Sequence, residues 1–316
     1  MATADPTRDA AREITKGRLP NFLLIGAPKA GSTALYYYLE QHPDIFLSAE
    51  KEAHFFGDEG VQWPRAVRDL DAYCALFEGV TTERIWGECT PNYLRWPSAA
   101  LQIKALVPQV KLLAILRNPV DRAYSQHVFL NRGSRHAAVD KGNLPPLEDY
   151  NTLAQQLPPS FGRPQTDVED VLGLRASFYA EDLQRYFDLF GRDQLKVLLY
   201  QDLKRDPVAT LQSVFEFLGI DPTFVPNMAR KHNVTSVARL NWLDNFLVGA
   251  NPLKVLGKAL LPPGLRKNLV QSIYQANLKA YEPLQPETRA WLIEIFRSDI
   301  LKTQDLLNRD LSGWLH

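Results

Sequence analysis

Residues 22–35 read Phe-Leu-Leu-Ile-Gly-Ala-Pro-Lys-Ala-Gly-Ser-Thr-Ala-Leu. An apolar run stops at Gly26, a short loop follows, and Ser32 opens a helical pattern. Strand, loop and helix in that order make a phosphate cradle. Gly31 lets the backbone come close to an anion. The amides of the first helical turn, those of Ser32, Thr33 and Ala34, have no partner inside the helix. They face outward along a dipole worth about half a positive charge. Gly26 and Gly31 keep the spacing of the triphosphate pattern G-x-x-x-x-G-K-[ST]. Here, however, Ser32 follows the second glycine directly, and the lysine stands earlier, at Lys29. The chain therefore has a phosphate-binding loop without the usual lysine–metal geometry. Taken alone, the two glycines also fit a turn ahead of a core helix.

A second segment narrows the choice. Val110 to Leu116 is an apolar run of the kind that forms a buried parallel strand. Arg117-Asn118-Pro119-Val120-Asp121 follows it. Asn118 suits an N-cap, Pro119 the first helical position, and Asp121 the positive end of a helix. Arg117 thus stands where a strand gives way to a helix. Ser125 lies about 10 Å further along that helix. A guanidinium fork and a hydroxyl on rigid elements can grip a phosphate. Either residue alone reads equally well as structural.

Together, and in this order, the two segments resemble the 5'-phosphosulfate loop and the 3'-phosphate motif of sulfotransferases. These enzymes use 3'-phosphoadenosine 5'-phosphosulfate (PAPS). The likeness extends over roughly residues 20–235. Lys51-Glu52-Ala53-His54-Phe55-Phe56 is similar to the segment that holds the catalytic base in glycosaminoglycan sulfotransferases and their bacterial relatives. Gly87-Glu88-Cys89-Thr90-Pro91-Asn92-Tyr93-Leu94 resembles the substrate-side turn. Two departures fall on the acceptor side. Cys89 stands where relatives often have Lys, and Gly57-Asp58 stands where they have an acid directly after the second Phe.

The resemblance implies a P-loop-like three-layer α/β fold, with PAPS as donor, 3'-phosphoadenosine 5'-phosphate (PAP) as product and no metal. It places the cofactor on Lys29, Ala30, Gly31, Ser32, Thr33, Ala34, Arg117 and Ser125, with Arg230 and Lys231 in a closing basic loop. Lys29 would stabilise charge building on the leaving group. Glu52 is the preferred base. His54, two residues on and on the same side of an extended segment, would orient it or act as the base itself. Lys51, Glu88 and Thr90 are acceptor-side candidates, and Arg95 is a weaker one. The reaction implied is in-line sulfuryl transfer to a hydroxyl or amine. A P-loop kinase or NTPase would need a lysine after Gly31 and an acid closing a central strand, where this chain has Ser32 and Arg117. A non-catalytic PAP-binding module is the other alternative.

Composition agrees with a globular enzyme. Of 316 residues, 45% are hydrophobic and 23% charged, and 36 Lys plus Arg balance 36 Asp plus Glu. No global field favours nucleic acid or an anionic membrane, so any anion site is local. The near-zero charge also speaks mildly against a long polyanionic acceptor. The expected partner is a small-molecule or carbohydrate acceptor, with a homodimer as an option. No apolar run approaches the roughly 18 residues of a membrane span. Residues 1–20 are charged and have no apolar signal core, which leads to the expectation of a soluble, cytoplasmic protein. Two cysteines, Cys74 and Cys89, make neither a disulfide framework nor a metal site.

Alternation of strands and helices predicts a parallel sheet with helices on both faces. Strands are expected at 21–26, 44–47, 84–88, 110–116 and 195–200. Helices are expected at 32–41, 65–78, 97–107, 119–131, 175–190, 207–218 and 286–308. Residues 1–19 read as a flexible lead-in and 20–316 as one domain. Within it, 132–168 reads as an irregular insertion or lid rich in Gly and Pro, and 235–316 as mainly helical.

Overall fold

The computed structural model describes residues 18–57, 63, 66–130, 150–158, 162–164, 172–228, 237–238, 278–279 and 283–316. Arg230, Lys231 and most of the expected lid lie outside these residues. The chain divides into two compact units. The first comprises residues up to Asn118 together with Tyr179–Asn233 and Asp299–Asp310. The second comprises Pro119–Phe178, Val234–Ser298 and Leu311–His316.

The first unit is built on five parallel strands: β1 (Phe22–Gly26), β2 (Ile45–Leu47), β3 (Ile85–Cys89), β4 (Lys111–Leu116) and β5 (Leu195–Leu199). Their order is β2-β3-β1-β4-β5. β1 lies in the middle, with Phe22 opposite Gly87 of β3 and Lys111 of β4. Every β1 side chain from Phe22 to Ile25 is at most 1% exposed. That explains why the strand reads as an unbroken apolar run: a parallel strand covered on both faces has no polar side.

The helices of this unit are α1 (Ser32–Leu39), α2 (Leu70–Ala75), α3 (Pro97–Leu106), α6 (Ala180–Phe190), α7 (Tyr200–Arg205) and α8 (Pro207–Leu218). In the second unit α4 (Pro119–Leu130) and α5 (Tyr150–Gln156) are helical; α9 (Pro286–Leu307) belongs to the second unit up to Ser298 and to the first from Asp299. Several ends follow local chemistry. Asp69 caps α2 by accepting from the Ala72 amide at 2.8 Å, which starts the helix later than the expected 65. Asp206 does the same for α8 through Ala209, and Gly219 ends α8 in a left-handed conformation.

Three differences from the sequence reading stand out. α7 begins directly at the end of β5, where a longer strand is expected. The expected helix from 175 starts at Ala180, after a 3-10 turn at Arg175–Ser177. α5 lies inside the expected irregular stretch. Tyr150 and Ala154, one turn apart, are both fully buried, a spacing too short to register against the surrounding Gly and Pro. Of the region 235–316, expected to be mainly helical, Pro286–Leu307 is a helix. Val237–Ala238 and Leu278–Lys279 pair as antiparallel strands, and the rest of 235–282 lies outside the described residues.

Gly31 precedes α1 at φ 103°, and a Cβ there would lie 2.8 Å from the Tyr200 ring. Gly31→Ala is expected to destabilise the protein by about 1–2 kcal/mol, the cost of a left-handed conformation for an L side chain. The check is a urea titration followed by circular dichroism. An unchanged midpoint would show that the loop relaxes freely.

Candidate active site

Parallel α/β sheets present ligand sites beyond the carboxyl ends of their strands. At that edge β1 ends in Gly26 and gives way to the loop 27–31. The Ala27 amide bonds the Ile115 carbonyl of β4 at 2.8 Å, which ties the loop to the neighbouring strand. Lys29 adopts φ 65°, a left-handed conformation uncommon for a non-glycine residue. No acid lies in the first turn of α1, so nothing on the helix offsets its positive end. Ser32 is buried, and Thr33 and Ala34 are half-buried. Arg117, at the end of β4, donates from Nη1 to the Lys29 carbonyl at 3.3 Å. Its guanidinium lies over the Tyr200 ring, 5.3 Å from the centroid. Arg117 therefore meets the phosphate loop directly.

The segment 51–56 runs beside this loop. The Glu52 amide bonds the carbonyl of Cys89 at the end of β3, at 3.0 Å. Lys51 Nζ donates both to Thr33 Oγ1 of α1 at 3.1 Å and to Glu52 Oε1 at 3.2 Å. Glu52 Oε2 lies 3.7 Å from His54 Nε2, within ion-pair range but longer than a hydrogen bond. The Glu52 side chain is 40% exposed and that of His54 only 5%. Burial acts to raise the Glu52 carboxyl, but His54 and the Lys51 charge outweigh it and hold the group down at about 2. Glu52 is thus ionised at neutral pH. The His54 ring stacks on Trp63 at 4.2 Å with planes 9° apart, and Trp96 lies beyond at 5.7 Å. His54 Nδ1, Trp63 Nε1 and Trp96 Nε1 are buried without a hydrogen-bond partner among the described residues.

Glu52 and His54 both have positive φ, 65° and 48°. With Lys29 they make up three of the four described non-glycine residues in that conformation. Such conformations cost about 1–3 kcal/mol each and persist where surrounding structure over-determines them. No residue-type pattern in the sequence signals them.

Glu88 and Thr90 differ from the sequence reading. Both are 0% exposed, so neither side chain offers a surface to an acceptor. Glu88 accepts hydrogen bonds from Thr90 Oγ1 at 2.6 Å and from the Tyr73 hydroxyl at 3.3 Å. Burial pushes its carboxyl up to about 7, with Glu52 adding repulsion and the hydroxyls of Thr90, Tyr93 and Tyr73 opposing. Cys89 is a free thiol that burial pushes far above the ordinary cysteine value, so it is neutral at physiological pH. Tyr73, Trp63 and Trp96 escaped the sequence reading, and Tyr93 entered it only as part of the substrate-side turn. Aromatic residues have no spacing that separates a site wall from ordinary core.

In the second unit Ser125 sits on α4, 1% exposed. On the same helix Arg122, fully buried, donates to Ser177 Oγ and to the Gly173 carbonyl, and Ser177 Oγ donates to the Pro119 carbonyl at 2.9 Å. These bonds hold the start of α4. Among the described residues no three His, Cys, Asp or Glu side chains come together as a metal site, and no helix is long and apolar enough to cross a membrane.

The loop 27–31, Arg117 against it and the ionised Glu52, linked to α1 through Lys51, thus come together at one edge of the sheet. Residues 19–245 match the sulfotransferase domain family. The chain belongs to that family, whose members take a sulfuryl group from PAPS. It is 28% identical over 320 residues to the mouse bifunctional heparan sulfate N-deacetylase/N-sulfotransferase 4. That alignment covers 96% of this chain and 32% of the relative. Identity to human bifunctional heparan sulfate N-deacetylase/N-sulfotransferase 2 is 25%, with the same coverage. The chain thus spans about a third of the length of these curated relatives. A crystal structure of a sulfotransferase from Alicyclobacillus acidocaldarius superposes with a TM-score of 0.63 at 28% identity, covering 95% of this chain and all of that one.

The buried carboxyl gives a pH test. Glu88 titrates near 7 in the fold and near its ordinary 4.5 when unfolded. Between those values the native state holds a proton that the unfolded state has released. Its contribution to stability is therefore full below about pH 4.5 and is lost as pH rises through 7. Glu88→Gln should flatten the fall in Tm between pH 5 and 7.5 relative to wild type. Parallel Tm–pH curves for the two proteins would mean that Glu88 does not titrate there.

Proposed function

We propose that the chain catalyses sulfuryl transfer from PAPS to a hydroxyl or amine, with Glu52 as general base and His54 orienting it. The observation that supports this most directly is the position of Lys51. Its ammonium bridges Thr33 on the phosphate helix and Glu52, so base and anion loop are one side chain apart. In this reading the amides of Ala30 to Ala34 and the Lys29 ammonium hold the 5' end of the donor, and Arg117 holds its 3'-phosphate. Ser125 is assigned to the 3'-phosphate by the sequence motif alone, as are Arg230 and Lys231 to the closing loop. The acceptor O–H or N–H gives its proton to Glu52 as the new bond to sulfur forms. The bond between sulfur and the bridging oxygen breaks, and PAP leaves with the electron pair. Lys29 and Lys51 meet the negative charge on the transferring and leaving groups.

Exposure favours Glu52 over His54 as the base. The carboxylate is open to solvent, whereas His54 is packed under Trp63. Family membership disfavours a kinase, and a bare PAP-binding module would not need an ionised, exposed Glu52. The acceptor is proposed as a small molecule or carbohydrate. The relatives named for heparan sulfate N-sulfotransferase activity fit the second. Cytoplasmic placement and a homodimer rest only on the sequence expectation, and cell fractionation and light scattering would test them.

Cofactor assignment is tested by thermal shift. PAP should raise Tm without metal by mass action, and Arg117→Ala should weaken PAP binding by about 1.5–3 kcal/mol. Adenosine 5'-phosphosulfate, which lacks the 3'-phosphate, should lose much less. A Tm shift with magnesium ATP but not with PAP would overturn the reading.

Base assignment is tested by kinetics. Glu52→Gln should lower kcat by about 10²–10⁴-fold with PAP affinity intact. Lys51→Met should move the acid limb of kcat/KM to higher pH, because losing the ammonium raises the Glu52 carboxyl and protonates it earlier. Normal turnover in Glu52→Gln with inactive His54→Ala would make His54 the base.

A further inference from the structure

Beneath the segment that bears Glu52 lies a hydroxyl network that ends on one buried carboxyl. Thr90 Oγ1 donates to Glu88 Oε2 at 2.6 Å and accepts from the His54 amide at 3.4 Å. The Tyr93 hydroxyl accepts from the Phe55 amide at 2.9 Å and the Phe56 amide at 3.3 Å. Tyr73 donates to Glu88 Oε1 at 3.3 Å, while its ring stacks on Phe55 at 4.0 Å with planes 7° apart. Phe56 packs edge-on against both Tyr73 and Tyr93.

Each hydroxyl has a single proton. Thr90 spends it on Glu88, which leaves its lone pairs for the His54 amide, while the Tyr93 oxygen takes the amides of Phe55 and Phe56. Those amides begin two residues after Glu52, and Glu52 and His54 are both left-handed. An over-determining support is what such a backbone requires.

We infer that Glu88 is a positioning residue for the catalytic base: it orients the Thr90 hydroxyl, which together with the Tyr93 hydroxyl fixes the 54–56 backbone and holds Glu52 toward the phosphate loop. This replaces the acceptor-binding role that the sequence suggests for Glu88 and Thr90. The catalytic part rests on the sulfotransferase reading; the mechanical part does not. Misplacing a reacting group by about 1 Å can cost on the order of 10²-fold in rate, so the network matters without touching substrate.

The experiment compares wild type, Thr90→Val, Glu88→Leu and the double variant by amide hydrogen exchange and by steady-state kinetics with labelled PAPS. Thr90→Val is nearly isosteric and decides the question if Glu88→Leu does not fold. Exchange at His54, Phe55 and Phe56 should speed up about tenfold or more while β1 and β4 amides keep their protection. The kcat should fall by on the order of 10²-fold, with acceptor KM and PAP affinity within about twofold of wild type. The double variant should cost no more than the worse single one, as for members of one network. Unchanged exchange at 54–56 in Thr90→Val overturns the inference. So does a raised acceptor KM with kcat intact, which would return Glu88 to the acceptor side. If wild type transfers no sulfuryl group to any acceptor, the enzymatic reading fails, and the exchange data still decide the positioning role.

Discussion

β1 is hydrogen-bonded on both edges and covered on both faces, and that constraint fixes the rest of the site. A strand with parallel neighbours on each side cannot continue past the sheet without stranding its own peptide groups. Its chain must therefore turn where the sheet ends, at Gly26, and return as α1. The Ala27 amide takes the Ile115 carbonyl as its partner at that point, which anchors the turn to β4. The ends of β3 and β4 lie on either side of the same strand. Cys89, the last residue of β3, and Arg117, the first after β4, accordingly stand on either side of β1. One buried strand thus sets the phosphate loop, the arginine and the carbonyl that receives the Glu52 amide.

On that frame the chain stores local strain where chemistry is proposed. Lys29, Glu52 and His54 are left-handed and are fixed by different means. Lys29 is held through its carbonyl, which accepts from Arg117. The 52–56 turn is held from below by hydroxyls and aromatic rings. Burial of Glu88 supplies the stiffness. With hydroxyl partners and little water, the network has few alternative arrangements, and a half-satisfied version would be costly.

The parts legible in the sequence were those whose signal is local. Apolar runs give all five strands of the sheet to within one residue at each end, and the Gly26–Gly31 spacing, the Arg117-Asn-Pro start and the Lys-Glu-x-His segment each lie within a few residues. What stayed hidden depends on residues far apart in the chain. Glu88 looks like a strand-ending acid facing a cleft. Only the arrival of Tyr73, 15 positions earlier, and the turn of Thr90 and Tyr93 back over it make it a buried hub. Trp63 on His54 is of the same kind. α7 was missed for another reason. Its sequence, Tyr-Gln-Asp-Leu-Lys-Arg, has only Tyr200 and Leu203 as apolar positions, too few to show a helical period between β5 and α8.

The low pKa of Glu52 raises a point about how such a base works. A carboxylate held at about 2 is a poor proton acceptor, and general bases act best near the ambient pH. Lys51 resolves this, because its ammonium is shared. It serves Glu52 and the phosphate helix at once, at 3.2 and 3.1 Å. A doubly charged anion in the loop competes for that ammonium with more charge than one carboxylate offers. On the proposed reading, an anion that drew Lys51 away would take from Glu52 the charge that holds it down, and its basicity would rise. The resting pair keeps an exposed carboxylate ionised and in place, and donor binding would convert it into a usable base. A lysine at position 51 can make that exchange because Thr33 marks the helix end it would move along. The neutral, buried Cys89 thiol beside it offers no competing charge.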